Sequence, residues 1–211
     1  MIDQREEFSD AAIGVGIVDR KEDLQLIAKP SCAAAIWRRQ PPRMFQNWID
    51  ALEPDQLPEP RVIVRPNVIH NAVLEACEAF ETPYCTERTN FIIDVCSLAD
   101  VFAKTMNAPY LRLRLDVVNS NACRRFHVDA ITARLICTYR GTGTQYGISE
   151  NGAEPQRVFT VPTGAPILLR GKLWPETPQT GLLHRSPPIE GTNETRLVLV
   201  LDPMDSPEET F

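Results

Sequence analysis

"YLRLRLDVV", residues 110–118, is where the character of the chain changes. Leu111, Leu113 and Leu115 alternate with Arg112, Arg114 and Asp116, a period of two that sends successive side chains to opposite faces. The stretch predicts a strand with one dry face and one polar face. What precedes it has another period. "NVIHNAVLEACEAF" (67–80) and "IIDVCSLADVFAKTMNA" (92–108) carry apolar residues three and four apart and read as amphipathic helices. Asn107-Ala108-Pro109 stops the second.

Further upstream the pattern is less regular. "AAIGVGIVD" (11–19) reads as a strand or a turn. "SCAAAIWRRQ" (31–40) and "MFQNWIDAL" (44–52) look helical, separated by Pro41-Pro42, and "LPEPRVIVRP" (57–66) marks entry into the next part. Downstream, short strands follow at close spacing: "FHVDAI" (126–131), "ARLICTY" (133–139), two within "QRVFTVPTGAPILLRG" (156–171), "GLLHRS" (181–186) and "TRLVLVLD" (195–202). "RGTGTQYGISENG" (140–152) reads as a turn-rich loop. No room is left for crossover helices, so the strands are expected to pair mainly antiparallel. Helices first and then at least six short strands predict a mainly β fold with helices, a jelly roll preceded by an α-helical N-terminal layer. The corresponding boundaries are an irregular, helical extension at 1–60, a helical support layer at 61–109, the β core at 110–203 and a tail at 204–211, all in one compact domain.

Composition sets the class. The chain has 211 residues, 43% apolar and 24% charged, with 18 prolines, which is ordinary for a globular domain. No apolar run approaches a membrane span. The acidic start, MIDQREEFSD, does not resemble a secretory signal, so a cytoplasmic protein is expected. Six cysteines form no C-x-x-C pair and read as thiols rather than disulfides. The net charge is −6 but unevenly spread: residues 110–200 hold 11 Lys/Arg against 7 Asp/Glu, the remainder 11 against 21. An acidic whole argues against a nucleic-acid partner. The basic later half suits a small anion.

Of three histidines, two matter most. In "CRRFHVDA" (123–130), His127 and Asp129 are two apart, so on a strand an imidazole and a carboxylate share a face. His184 lies in a later strand. Two imidazoles and one carboxylate on one face of an octahedron leave three positions open, the arrangement of non-haem Fe(II) oxygenases. His70, near a helix start, reads as structural. Arg124 and Arg125, before the H-x-D, are exposed charges or contacts for an acidic substrate. Arg185, beside His184, points to the other face.

Residues 110–203 resemble the Fe(II)/2-oxoglutarate-dependent dioxygenases, whose core is a double-stranded β-helix. "HVD" (127–129) is similar to the first metal-binding element, "YRGTGTQY" (139–146) to the Gly-rich stretch after it, "VPTGAPILLRG" (161–171) to the Pro-x-x-Gly strand entry, and "LLHRSPPIEGTNETRLVLVL" (182–201) to the closing segment. The resemblance implies His127, Asp129 and His184 as ligands of Fe(II), and Arg196 as the residue that grips the distal carboxylate of 2-oxoglutarate. Tyr139, or Thr138 on the opposite face of that strand, would add a hydrogen bond. Hydroxylation of an unread small-molecule or peptide substrate is the implied activity. The whole chain also resembles an uncharacterised bacterial family associated with metal-chaperone GTPases and zinc limitation. That likeness implies a possible GTPase partner and an alternative in which Zn(II), with Cys123 as a further ligand, is held without catalysis. A cupin-like metalloenzyme that does not use 2-oxoglutarate is the third reading. Nothing in the sequence addresses oligomeric state.

Overall fold

The computed structural model describes residues 14–30, 32–149, 153–175 and 181–208. Two sheets face each other. The larger has the order β1-β2-β8-β5-β10-β4-β3, and the smaller β7-β6-β9. Its strands are β1 (Val15–Val18), β2 (Ala34–Trp37), β3 (Arg61–Val64), β4 (Tyr110–Val118), β5 (Ala133–Arg140), β6 (Gln145–Ile148), β7 (Phe159–Thr160), β8 (Pro166–Arg170), β9 (Leu182–Arg185) and β10 (Arg196–Met204). An isolated bridge between His127 and His184 adds the 127 segment to the smaller sheet beside β9. From β4 onward the chain winds between the two sheets: β4 large, 127 small, β5 large, β6 and β7 small, β8 large, β9 small, β10 large. All pairings in this part are antiparallel. That winding is the jelly roll that the strand spacing predicts.

The outer face of the larger sheet is covered by α1 (Arg43–Ala51), α2 (Ile69–Ala79) and α3 (Thr86–Met106). In α3, Phe91, Ile92, Val95, Leu98, Ala99, Phe102 and Ala103 are buried, a stripe at three- and four-residue spacing. It meets the Leu111/Leu113/Leu115 face of β4 and Leu197, Leu199 and Leu201 of β10 in the main core. The helix ends at Asn107, whose φ of 50° is the left-handed cap position, with its N–H bonded back to Ala103 and Lys104. A second core of Ile136, Val198, Val200, Ile167, Leu169, Tyr146, Val161 and Leu182 lies between the sheets.

Four expectations are corrected. "SCAAAIWRRQ" contains not a helix but β2, paired parallel with β1 and antiparallel with β8. Ala34, Ala35 and Ile36 are all buried, so the strand is covered on both faces and shows no alternation; tertiary pairing overrides the helix preference of alanine. The N-terminal part therefore begins with two strands that widen the sheet instead of a helical layer, although "MFQNWIDAL" does form α1. The loop expected at 140–152 contains β6, and "FHVDAI" makes one bridge rather than a strand. Residues 11–13 of the first uncertain stretch lie outside the described residues, as do 150–152.

Candidate metal centre

His127 and His184 are tied by their backbones before their side chains are considered. Each N–H donates to the other's carbonyl, both at 3.0 Å. The ring centroids are 4.5 Å apart. Asp129 joins them as the one-residue spacing requires: its Oδ1 is 3.5 Å from His127 Nε2 and its Oδ2 is 3.1 Å from His184 Nε2. The ligand atoms of the three side chains all lie within 4.8 Å of one another, the only such group of three or more His, Cys, Asp or Glu among the described residues. Cys123 lines the same cavity but is not in that group.

Protonation suits a ligand set. His127 Nδ1 lies 2.9 Å from the Arg125 carbonyl, which fixes a proton there and leaves the Nε2 lone pair for the site. The carboxylate of Asp129 raises the His127 pKa, whereas burial lowers that of His184. Burial alone would push the Asp129 carboxyl up. His127, His184 and Arg134 outweigh it and hold the group well below the usual carboxylate range. Asp129 Oδ2 is buried and has no aligned hydrogen-bond donor, close though His184 is. A buried carboxylate oxygen without a donor is costly unless something else engages it.

The carboxylate is held from behind by a residue that the sequence does not single out. Arg134, on β5, places Nη1 2.8 Å from Asp129 Oδ1. The same guanidinium grips both oxygens of Asp202 on β10, at 2.6 and 2.8 Å. Asp202 is 1% exposed. Its only sequence signal is a charge ending the apolar run "LVLVL".

Further along the cavity, Arg196 is also 1% exposed. Its Nε donates to the Thr142 carbonyl at 2.6 Å and its Nη2 to Thr138 Oγ1 at 3.4 Å. No carboxylate among the described residues is ion-paired with it, and burial pushes its pKa down to about 10. Thr138 is thus brought beside Arg196. Tyr139 is not: it faces the helices, donating its hydroxyl to Asp94 Oδ2 at 2.6 Å beside the Arg39–Asp94 pair. Alternation along β5 sends it to the other side of the sheet from Thr138, so a cosubstrate role for Tyr139 is corrected. His70 is exposed and lies on a separate cleft beside α3. Arg185 stacks on Phe126 at 4.3 Å and donates to Gln145, while Arg124 and Arg125 are exposed.

The His–Asp–His group and Arg196 open into one cavity of about 160 Å³, also lined by Arg114, Arg134, Ile136, Val198 and Val200. At roughly 30 Å³ per water, that is room for a small acid. Fold and site together define a jelly-roll protein with two imidazoles and a carboxylate converging at the mouth between its sheets. The chain belongs to the family described as a protein of unknown function (DUF1826), which it matches over residues 18–202. No curated protein matches the sequence. Among solved structures it is similar to a dioxygenase for auxin oxidation from Arabidopsis thaliana bound to 2-oxoglutarate, at 11% identity over 93% of this chain and 95% of that one, with a TM-score of 0.47. It is also similar to a prolyl-4-hydroxylase from Pseudomonas putida, at 10% identity over 93% and 99% and a TM-score of 0.45. A 2-oxoglutarate–Fe(II) oxygenase family oxidoreductase from Burkholderia pseudomallei matches at 14% over 94% and 98%, with a TM-score of 0.45.

Proposed function

We propose that the protein is a non-haem Fe(II)/2-oxoglutarate-dependent oxygenase of the hydroxylase type, acting on a small-molecule or peptide substrate. The observation that carries this reading is the pairing, within one cavity, of the His127/Asp129/His184 group with a buried guanidinium that has no carboxylate ion-paired with it among the described residues. A metal fits the donor set: two imidazole nitrogens, that of His184 favoured in its neutral form by burial, and a carboxylate oxygen without a donor suit a divalent first-row ion and leave positions open for exogenous ligands. Bound there, ferrous iron would supply dioxygen activation coupled to oxidative decarboxylation of the oxo acid.

The chain's own residues do the rest. Arg196 presents fixed donors to the distal carboxylate of the oxo acid, with the Thr138 hydroxyl beside it. Ile136, Val198 and Val200 wall the space between Arg196 and the imidazoles with hydrocarbon and keep water from it. Arg134 fixes the carboxylate ligand, and the Arg125 carbonyl fixes the ring of His127. The zinc-holding alternative uses the same three ligands, and Cys123, which would distinguish it, lies outside that group.

The test is anaerobic titration with Fe(II) and then 2-oxoglutarate, watching for the visible charge-transfer band of an oxo acid chelated at a ferrous site. The band is expected in the wild type and lost in Arg196→Ala, with metal affinity retained. Absence of any band in a protein that binds Fe(II) would sink the reading.

A further inference from the structure

Among the described residues, a second guanidinium in the cavity has no hydrogen-bond partner. Arg114 projects from the polar face of β4 into the space between the sheets. Among the described residues, no hydrogen bond engages its guanidinium, and its Nε is buried without a partner. Its side chain is 20% exposed. It makes two long ion pairs, to Asp116 Oδ2 and Asp202 Oδ2, each at 3.7 Å and beyond hydrogen-bonding distance. Each is already engaged elsewhere. Asp116 Oδ1 accepts from Arg61 at 3.1 Å, and both oxygens of Asp202 accept from Arg134. A five-donor fork facing a cavity, largely out of water and with ion pairs too long to be hydrogen bonds, has donors to offer an incoming anion.

This group is distinct from Arg196. In the β4–β10 register Arg114 faces Val200, whereas Arg196 faces Val118. Four residues of strand separate the two levels, about 13 Å at roughly 3.3 Å per residue. One short dicarboxylate reaching from the imidazoles to Arg196 leaves Arg114 unanswered. Asp129 Oδ1 and both Asp202 oxygens are held by Arg134, so of the described carboxylates ion-paired with Arg114 only Asp116, through Oδ2, offers an oxygen that accepts no other hydrogen bond, and it stands 3.7 Å away.

We infer that Arg114 binds an anionic oxo-group of the substrate itself, a carboxylate, phosphate or sulfate carried close to the reacting position, so that the protein acts on an acid. This rests on the oxygenase reading for the word substrate, though not for the anion site. Neutral aprotic substrates would leave its donors without hydrogen bonds, and positively charged ones would be repelled by it.

Sulfate is the probe, because it offers the guanidinium geometry without chelating a metal. The Zn(II)-loaded protein is saturated with 2-oxoglutarate, which occupies Arg196, and sulfate is titrated by calorimetry. One sulfate per chain is expected to bind, at least tenfold more weakly in Arg114→Met and unchanged in Arg185→Met. Arg114→Lys keeps the charge without the fork and is expected to fall between, which serves if the methionine variant does not fold. Sulfate affinity indifferent to both substitutions at Arg114 overturns the inference. So does loss of 2-oxoglutarate binding in Arg114→Met with sulfate unaffected, which would assign this arginine to the cosubstrate. Failure of 2-oxoglutarate to bind the wild type would defeat the oxygenase reading alone. Sulfate binding that needs Arg114 and persists in Arg196→Met would still uphold the anion site.

Discussion

Arg134 shows how much of the site depends on a residue that would touch neither metal nor cosubstrate. It holds Asp129 by one nitrogen and Asp202 by two, so ligand orientation is passed to the sheet through a single guanidinium. Arg134→Met is expected to lower affinity for Mn(II) or Zn(II) by about 10–100-fold in the folded protein, read by competition with a chromogenic chelator. Unchanged affinity would mean that Asp129 is positioned by the histidines alone. The same substitution leaves buried Asp202 with only its longer ion pairs to Arg112 and Arg114, and breaking a buried pair costs up to about 3–5 kcal/mol, so the melting temperature should fall as well. Thiol chemistry gives a second reading at this scale. Burial pushes Cys137 up to about 12, while Cys123 is exposed at the mouth of the cavity. At pH 8 a disulfide reagent should modify Cys123 in a fast phase that Cys123→Ser removes, with Cys137 silent until the chain unfolds. A fast-reacting Cys137 would contradict its place under Arg39 and Gly164.

At the scale of elements, the ligand segment is held by a turn that the sequence presents only as the end of a strand. Gly171 N–H donates to the Thr132 carbonyl, Lys172 N–H to Asp129 and Leu173 N–H to Ile131, at 2.8–3.0 Å. A Cβ on Gly171 would sit 1.9 Å from the Ile131 carbonyl oxygen and 3.0 Å from that of Asp129, both backbone. Gly171→Ala must therefore push the Asp129 segment aside. Metal affinity is expected to drop with far less loss of stability than a core cavity brings, as chelator competition and thermal melts would show together. The contrasting case is Phe102 of α3, fully buried between helix and sheet. Phe102→Ala should cost about 3–5 kcal/mol in denaturant unfolding and leave the metal affinity of the folded fraction intact. Periodicity made α2, α3 and β4 legible, because each is buried on one face or ends at a clear stop, while β5, β8 and β10 showed as short apolar runs rich in β-branched residues and leucine. It concealed β2, whose two covered faces erase alternation, and β6, whose Gly and Thr residues resemble a loop. It also identified which residues of β4 share a face without saying whether that face is wet. Arg112, Arg114 and Asp116 read as a polar side and turned out to line the interior.

Over the whole molecule, the two sheets bring together positions that are 55 and more residues apart in the chain, and the order of motifs foretold which. His127, Asp129 and His184 converge, with Arg196 in the same cavity and Thr138 beside it. Tyr139 fell on the wrong face because a choice between neighbours needs the strand's orientation. Arg134, Arg114 and Asp202 carried no motif; only pairing with other strands gives them their places. No described helix is long and apolar enough to cross a membrane. The uneven charge also gains a location, since the basic half forms the roll and supplies the arginines of the cavity. A ligand that binds only the folded chain should stabilise it by about 2.7 kcal/mol at a hundredfold excess over its dissociation constant. Saturating Zn(II) is thus expected to raise the melting temperature while leaving the far-ultraviolet circular dichroism unchanged. A metal-dependent gain of secondary structure would contradict a site assembled beforehand. The reciprocal backbone bonds between His127 and His184 are the reason for that expectation. They join the two imidazoles through main chain alone, whatever does or does not sit between the rings. Synthesis and loading can then be separate events: the chain can finish folding where the ion is scarce and persist as an empty, competent acceptor until it arrives.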